Sequence, residues 1–177
     1  MNVRRVVVTQ HDGRSVIASD GLSIRSHDFV YIPGMSESLL WSTRAGDDLV
    51  DVPDQALRVR RRLPGAGESV FVVVTFPPDD VFRSGDFDPK RAAAEQRLVS
   101  PDLADLFEPG DSGMHTTPTV DYVVVVEGEI WLDLGDGGIT HLRQGDTVIQ
   151  NATRHAWRNF GTKPATLAVV MVGTNEL

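Results

Sequence analysis

The chain has no cysteine. Disulfides are excluded, and so is every thiolate metal site. Any metal must be held by histidine, aspartate or glutamate, which selects a hard or borderline ion. Long apolar runs are missing too. None approaches the roughly 20 residues that cross a bilayer as a helix, so no membrane partner is expected. The opening Met1-Asn2-Val3-Arg4-Arg5-Val6-Val7-Val8 is basic and then apolar, but Gln10, His11 and Asp12 follow too soon for a signal segment. A soluble cytoplasmic protein is the expectation. Positive charge is scarce. Net charge is −8 over 177 residues, and no nucleic-acid partner is expected, because phosphate binding needs clustered cations. The single basic run, Arg60-Arg61-Arg62, reads as a solvated face.

What is present is β-rich. The length suits one domain with a real core. Residues 1–78 read as N-terminal strands: Val3 to Thr9, Ser15 to Ala18 before an Asp20-Gly21 turn, Phe29 to Ile32, Ser38 to Thr43, and Ser69 to Phe76. Residues 79–112 differ. Asp88-Pro89 is an N-cap with proline at the first helical position, ahead of Lys90 to Leu98, and Ser100-Pro101 repeats the signal before Asp102 to Phe107. Two short helices follow from this, either a cover over a site or a packed surface excursion. Residues 113–177 alternate short valine-rich strands with glycine turns: Val120 to Val126, Glu129 to Leu134, Ile139 to Leu142, Asp146 to Gln150, Ala156 to Phe160 and Ala165 to Val172. Such spacing predicts an all-β sandwich or barrel.

Three residues in this last part stand out. His115, Asp121 and His155 lie among strands, and two histidines with one carboxylate form the ligand set of mononuclear non-haem metal centres. In a strand, residues of one parity share a face. His115, Thr117, Asp121, Val123 and Val125 share one parity; His155, Trp157 and Asn159 share another on a later strand. If both faces look into one barrel, the three ligands converge. Val123, Val125, Trp157, Gln150 and Asn159 are then candidate substrate-binding residues, with Trp157 a wall that stacks a planar group. Thr117 and Tyr122 are the candidate catalytic groups. Arg154 and Arg158 have the opposite parity to His155 and point outward. His11, His27 and His141 read as surface residues, and Glu127 and Glu129 as solvated.

Gly110, His115-Thr116-Thr117, Asp121 and Gly128 follow the spacing of one motif, and Gly145, His155 and Asn159 that of a second. On these residues the chain resembles the cupin superfamily of jelly-roll barrels over about residues 109–172. The resemblance implies a cupin-like barrel with an N-terminal β extension and a short helical excursion. It implies His115, Asp121 and His155 as ligands of one divalent ion: iron, manganese, nickel or zinc. It departs from the family pattern where Thr117 replaces a second histidine, Asp121 replaces glutamate and Asn151-Ala152-Thr153 replaces Pro-x-Gly.

Three functions fit this reading. One is a metal-dependent lyase acting on a small carboxylated or hydroxylated substrate by decarboxylation or dehydration. Another is an Fe(II) dioxygenase with the same ligands. The remaining one is a non-catalytic binding barrel. A homodimer through the N-terminal strands is also expected, since pairing protects sheet edges.

Overall fold

The computed structural model describes residues 3–48, 50–59, 61–110 and 113–175. Arg60 of the basic run and the last two residues of the helical excursion, Asp111 and Ser112, lie outside the described residues. Two antiparallel sheets face each other, and a hairpin forms a third sheet, tied to the barrel by Arg5, which donates to the Leu40 carbonyl and to Asp54. The strands are β1 (Arg4–His11), β2 (Arg14–Leu22), β3 (Ser26–Asp28), β4 (Ser36–Thr43), β5 (Ser69–Phe76), β6 (Thr119–Glu127), β7 (Glu129–Asp133), β8 (Ile139–Arg143), β9 (Thr147–Asn151), β10 (Ala156–Arg158) and β11 (Ala165–Gly173). The larger sheet has the order β3-β4-β5-β11-β6-β9 and the smaller one β10-β7-β8. Neighbours far apart in sequence, such as β5 and β11, are the crossovers of a jelly roll.

Alternation sets the faces. Along β6, Thr119, Asp121, Val123 and Val125 are buried, while Tyr122, Val124 and Val126 are exposed. Val123, Val125 and Leu167 of the larger sheet meet Ile130, Leu132 and Leu142 of the smaller one, forming the core between them. Gly128 makes the turn from β6 to β7 with φ +78°. A Cβ there would come within 2.6 Å of the Pro164 carbonyl oxygen, so only glycine fits.

The helical excursion begins as the sequence predicts. Asp88 caps α1 (Pro89–Val99), accepting from the N–H groups of Lys90 and Arg91 at 3.0 and 3.1 Å. Helix α2 (Pro101–Ala104) stops earlier than expected. Ser100 makes no side-chain cap there; its hydroxyl donates to Glu37 instead. Phe29 to Ile32, expected as a strand, is a loop. The N–H groups of Val30 and Tyr31 go to the Glu95 carboxylate of α1 at 2.9 and 2.8 Å, so no ladder claims them. Phe29 and Ile32 are buried against Ala92 of α1. The turn expected at Asp20-Gly21 is also absent: β2 continues to Leu22, paired along β1. Among the described residues, no helix is long and apolar enough to cross a membrane.

Candidate functional site

His115 and His155 are brought together by main-chain pairing. Each N–H donates to the other's carbonyl oxygen at 2.9 Å, an antiparallel bridge that sets the rings on one side with centroids 4.4 Å apart. Both rings are held the same way. His115 Nδ1–H donates to the Gly113 carbonyl at 2.8 Å, and His155 Nδ1–H donates to the Thr153 carbonyl at 2.9 Å. Each Nε2 keeps its lone pair, which is how a ligating histidine is oriented by its second hydrogen bond. Phe107 meets His115 edge-on at 5.0 Å, and Trp157 meets His155 edge-on at 5.9 Å.

The electrostatics favour neutral rings. Burial lowers the His115 pKa, and the Gly113 carbonyl and Glu108 offset only part of that. Burial, then the neighbouring His115, pushes His155 down to about 4. Asp121 moves the other way. Burial raises its carboxyl above the ordinary range, and the hydroxyls of Thr119 and Thr117 only partly counter it.

The pair opens onto a cavity of about 750 Å³. His115, Thr117, Asp121, Val123, His155 and Trp157 all line it, as the sequence predicts. The full ligand triad does not assemble. Among the described residues, no group of three or more histidine or acidic side chains is gathered to hold a metal ion. Asp121 is one methylene shorter than the glutamate of the resembled pattern, and its Oδ1 is buried without a hydrogen-bond partner. The two histidines therefore have the chemistry to hold a divalent ion, each with a neutral ring and a free Nε2, while Asp121 lines the same cavity.

Four expected site residues lie elsewhere. Tyr122 is half exposed on the outer face, because it alternates with Asp121. Val125 is buried in the inter-sheet core. Asn159 is spent on structure: its amide donates to the carbonyls of Phe76 and Lys163 at 3.1 and 2.9 Å, and its Oδ1 accepts from Gly161 N–H at 3.0 Å. Gln150 opposes Asp121 across the β6–β9 ladder but does not line the cavity. Its Oε1 accepts from Thr153 at 2.6 Å, while its Nε2 is buried and unpartnered.

Other residues were not visible from parity. Arg158, expected to point outward, lines the cavity and donates to Asp133 at 3.0 Å. Strand β10 spans three residues, too few for alternation to hold one face. The excursion is a cover as well as a packed element: Phe82, Ala93, Leu103 and Phe107 line the cavity. Glu37 and Arg62 line it too, as a buried ion pair. His27 is less exposed in function than expected, since its Nε2 donates to Glu95 at 2.9 Å. Glu129 is paired with His141 at 2.8 Å, and that ring stacks on Trp131.

Comparison with known proteins bears on the same segment. The Cupin domain family model matches residues 106–172. "Phomopsin biosynthesis cluster protein C'" of Diaporthe leptostromiformis is 44% identical over 57 residues, covering 32% of this chain and 30% of that protein. The "Cupin-domain-containing oxidoreductase srdD" of Neurospora crassa is 39% identical over 75 residues, covering 40% of this chain and 38% of that protein. The matched segment thus spans about a third of these relatives' length. Among solved structures, a sugar phosphate isomerase of the cupin superfamily from Silicibacter pomeroyi is similar with TM-score 0.41 and 17% identity, over 81% of this chain and 62% of that one. The DMSP lyase DddQ from Ruegeria pomeroyi is similar with TM-score 0.38 and 17% identity, over 62% and 40% respectively. The two motifs, the jelly-roll order of strands and the family match agree on residues 106–172, the segment of this chain that is similar to a cupin domain.

Proposed function

We propose that this chain is a cupin oxidoreductase that acts on a small, mostly apolar substrate carrying an oxygen function. The observation that carries the reading is the histidine pair: two imidazoles, each fixed at Nδ1 by a backbone carbonyl, both lining a cavity of about 750 Å³. His115 and His155 would hold one divalent ion, iron, manganese, nickel or zinc, which when bound supplies Lewis-acid or redox chemistry at a substrate oxygen. The protein's own part is binding and exclusion. Val123, Leu167 and Val169 receive an apolar body, Trp157 and Phe107 shield the histidines from water, and Thr117 offers a hydroxyl beside Asp121. Oxidation is preferred because several partial relatives carry the name oxidoreductase.

Asp121 supports a second reading. A buried carboxyl raised above its ordinary range, with one oxygen unpartnered, can hold a proton for a decarboxylation or dehydration. That would make the chain a lyase on the same cavity. A homodimer is proposed as well: the β1–β2 hairpin forms its own sheet and exposes Val8 and Ile17.

The test is Fe(II)-reconstituted protein exposed to nitric oxide, an O₂ surrogate, and read by electron paramagnetic resonance. The oxidative reading expects a high-spin iron–nitrosyl signal that disappears in His155→Ala. No signal from wild type overturns it. Turnover of a carboxylated substrate under argon would establish the lyase.

A further inference from the structure

We propose that Arg62 is a binding site for a carboxylate of the substrate, at the side of the cavity away from the histidine pair. This deepens the reading of the cavity as a substrate site and rests on it. Arg62 was expected to be solvated as part of a basic run. Instead it is 5% exposed and lines the cavity.

Its guanidinium is only partly used. Nε donates to Glu37 Oε1, and the other Glu37 oxygen accepts from Ser100 at 3.2 Å, so the carboxylate is held from both sides. Among the described residues, Arg62 makes no other hydrogen bond, which leaves both terminal amino groups, Nη1 and Nη2, without a protein partner. Neither amino group is among the fully buried unpartnered atoms, so both reach the open space of the cavity. Here those donors belong to a residue that lines a cavity, so a ligand can satisfy them. Two parallel N–H groups on a rigid plane match the two oxygens of a carboxylate.

The surroundings add positive charge. Arg25 donates to the carbonyls of Ala56 and Val59 at 3.2 and 3.0 Å, and it lies close enough that the Arg62 charge lowers its pKa, after the larger effect of burial. Two guanidiniums thus stand near the one Glu37 carboxylate. Asp102, distant in sequence, accepts from Leu63 N–H at 2.8 Å and keeps its other oxygen buried and unpartnered, but it does not line the cavity.

Position gives the ligand a minimum length. Glu37 is on β4 and Asp121 on β6, with β5 and β11 between them. Three strand spacings of about 4.8 Å separate the two ends by roughly 14 Å across the sheet. The apolar wall between them includes Val72, Val74, Val169 and Met171. The ligand class is therefore an extended, mostly apolar carboxylic acid, with its carboxylate on Arg62 and its reacting part near the histidines.

The probes are naphthalene-2-carboxylate and its neutral carboxamide, titrated calorimetrically in EDTA so that no metal–carboxylate bond contributes. Wild type is expected to bind the carboxylate at least about ten-fold tighter than the carboxamide. Arg62→Gln alone would strand Glu37 as an unpaired buried charge and risk unfolding. The informative protein is the double variant Arg62→Gln with Glu37→Gln, which removes both charges together and leaves neither unpaired. It should lose the carboxylate preference while binding the carboxamide as before. His155→Ala should keep the preference, so failure of the metal-site reading is distinguishable from failure here. Equal affinities in wild type, a preference that survives in the double variant, or no carboxylate binding at about 10 mM would each overturn the assignment.

Discussion

Glu95 ties the cover of the cavity to the barrel, and its removal should be costly. The carboxylate is 8% exposed and accepts three hydrogen bonds: Val30 N–H at 2.9 Å, Tyr31 N–H at 2.8 Å and His27 Nε2–H at 2.9 Å. Hydrogen bonds to a charged group contribute roughly 1.5–3 kcal/mol each. Val30 and Tyr31 are themselves exposed, so water can reach their N–H groups once Glu95 is gone. The loss for Glu95→Ala should then fall below the low end of the sum, at about 3 kcal/mol. That is a large share of the 5–15 kcal/mol typical of a domain. The contribution also depends on pH. Burial alone would raise the Glu95 carboxyl, but the two N–H groups and His27 outweigh it and hold the pKa below its ordinary value. A depressed carboxyl stabilises above its unfolded pKa, and that stability is lost as pH falls through the folded value. Urea denaturation of both proteins at neutral and acid pH measures the difference, and hydrogen exchange reads the Val30 and Tyr31 amides. A loss under about 0.5 kcal/mol, within the range of ordinary surface changes, or unchanged protection of both amides, would refute the reasoning.

Three further outcomes follow from the same structure. Asn159→Ala should lower stability by about 2–4 kcal/mol, because three hydrogen bonds of a buried side chain are lost, while probe affinity of the folded protein stays unchanged; denaturation and calorimetry check both halves. In metal-free protein, His155 should weaken the fold as pH falls from 6.5 to about 4, since the unfolded chain takes up the proton first. The ceiling is roughly 3 kcal/mol, and denaturation of His155→Asn should show a shallower slope over that window. Gly128→Ala should cost more than about 2 kcal/mol, through left-handed strain and collision with the Pro164 carbonyl, read as a fall in Tm.

Much of the barrel was legible because its strands carry a simple period. Val123 and Val125 go in while Tyr122 and Val124 stay out, and alternation alone says so. The Asp88-Pro89 start of α1 was legible because a cap is a local interaction. The two histidines were found by spacing, and the main-chain bridge between them explains why that spacing works. What was not legible depends on long-range partners. Phe29 to Ile32 has strand-like composition, yet Glu95, more than 60 residues away in sequence, takes its N–H groups. Asn159 and Trp157 share a parity, but turn contacts to Phe76 and Lys163 draw the asparagine out of the cavity wall. Arg62 sits in a run that composition assigns to solvent, and only the fold reveals Glu37 beside it.

The central proposal is that His115 and His155 alone hold a metal ion, with Asp121 lining the same cavity but outside the set. Wild type and the variants His115→Ala, His155→Ala and Asp121→Asn, purified without an affinity tag, loaded with one divalent metal and dialysed, would be compared by elemental analysis. The account predicts about one ion per chain in wild type, loss in either histidine variant, and retention in Asp121→Asn. Full occupancy in either histidine variant, or loss in Asp121→Asn equal to theirs, would contradict it.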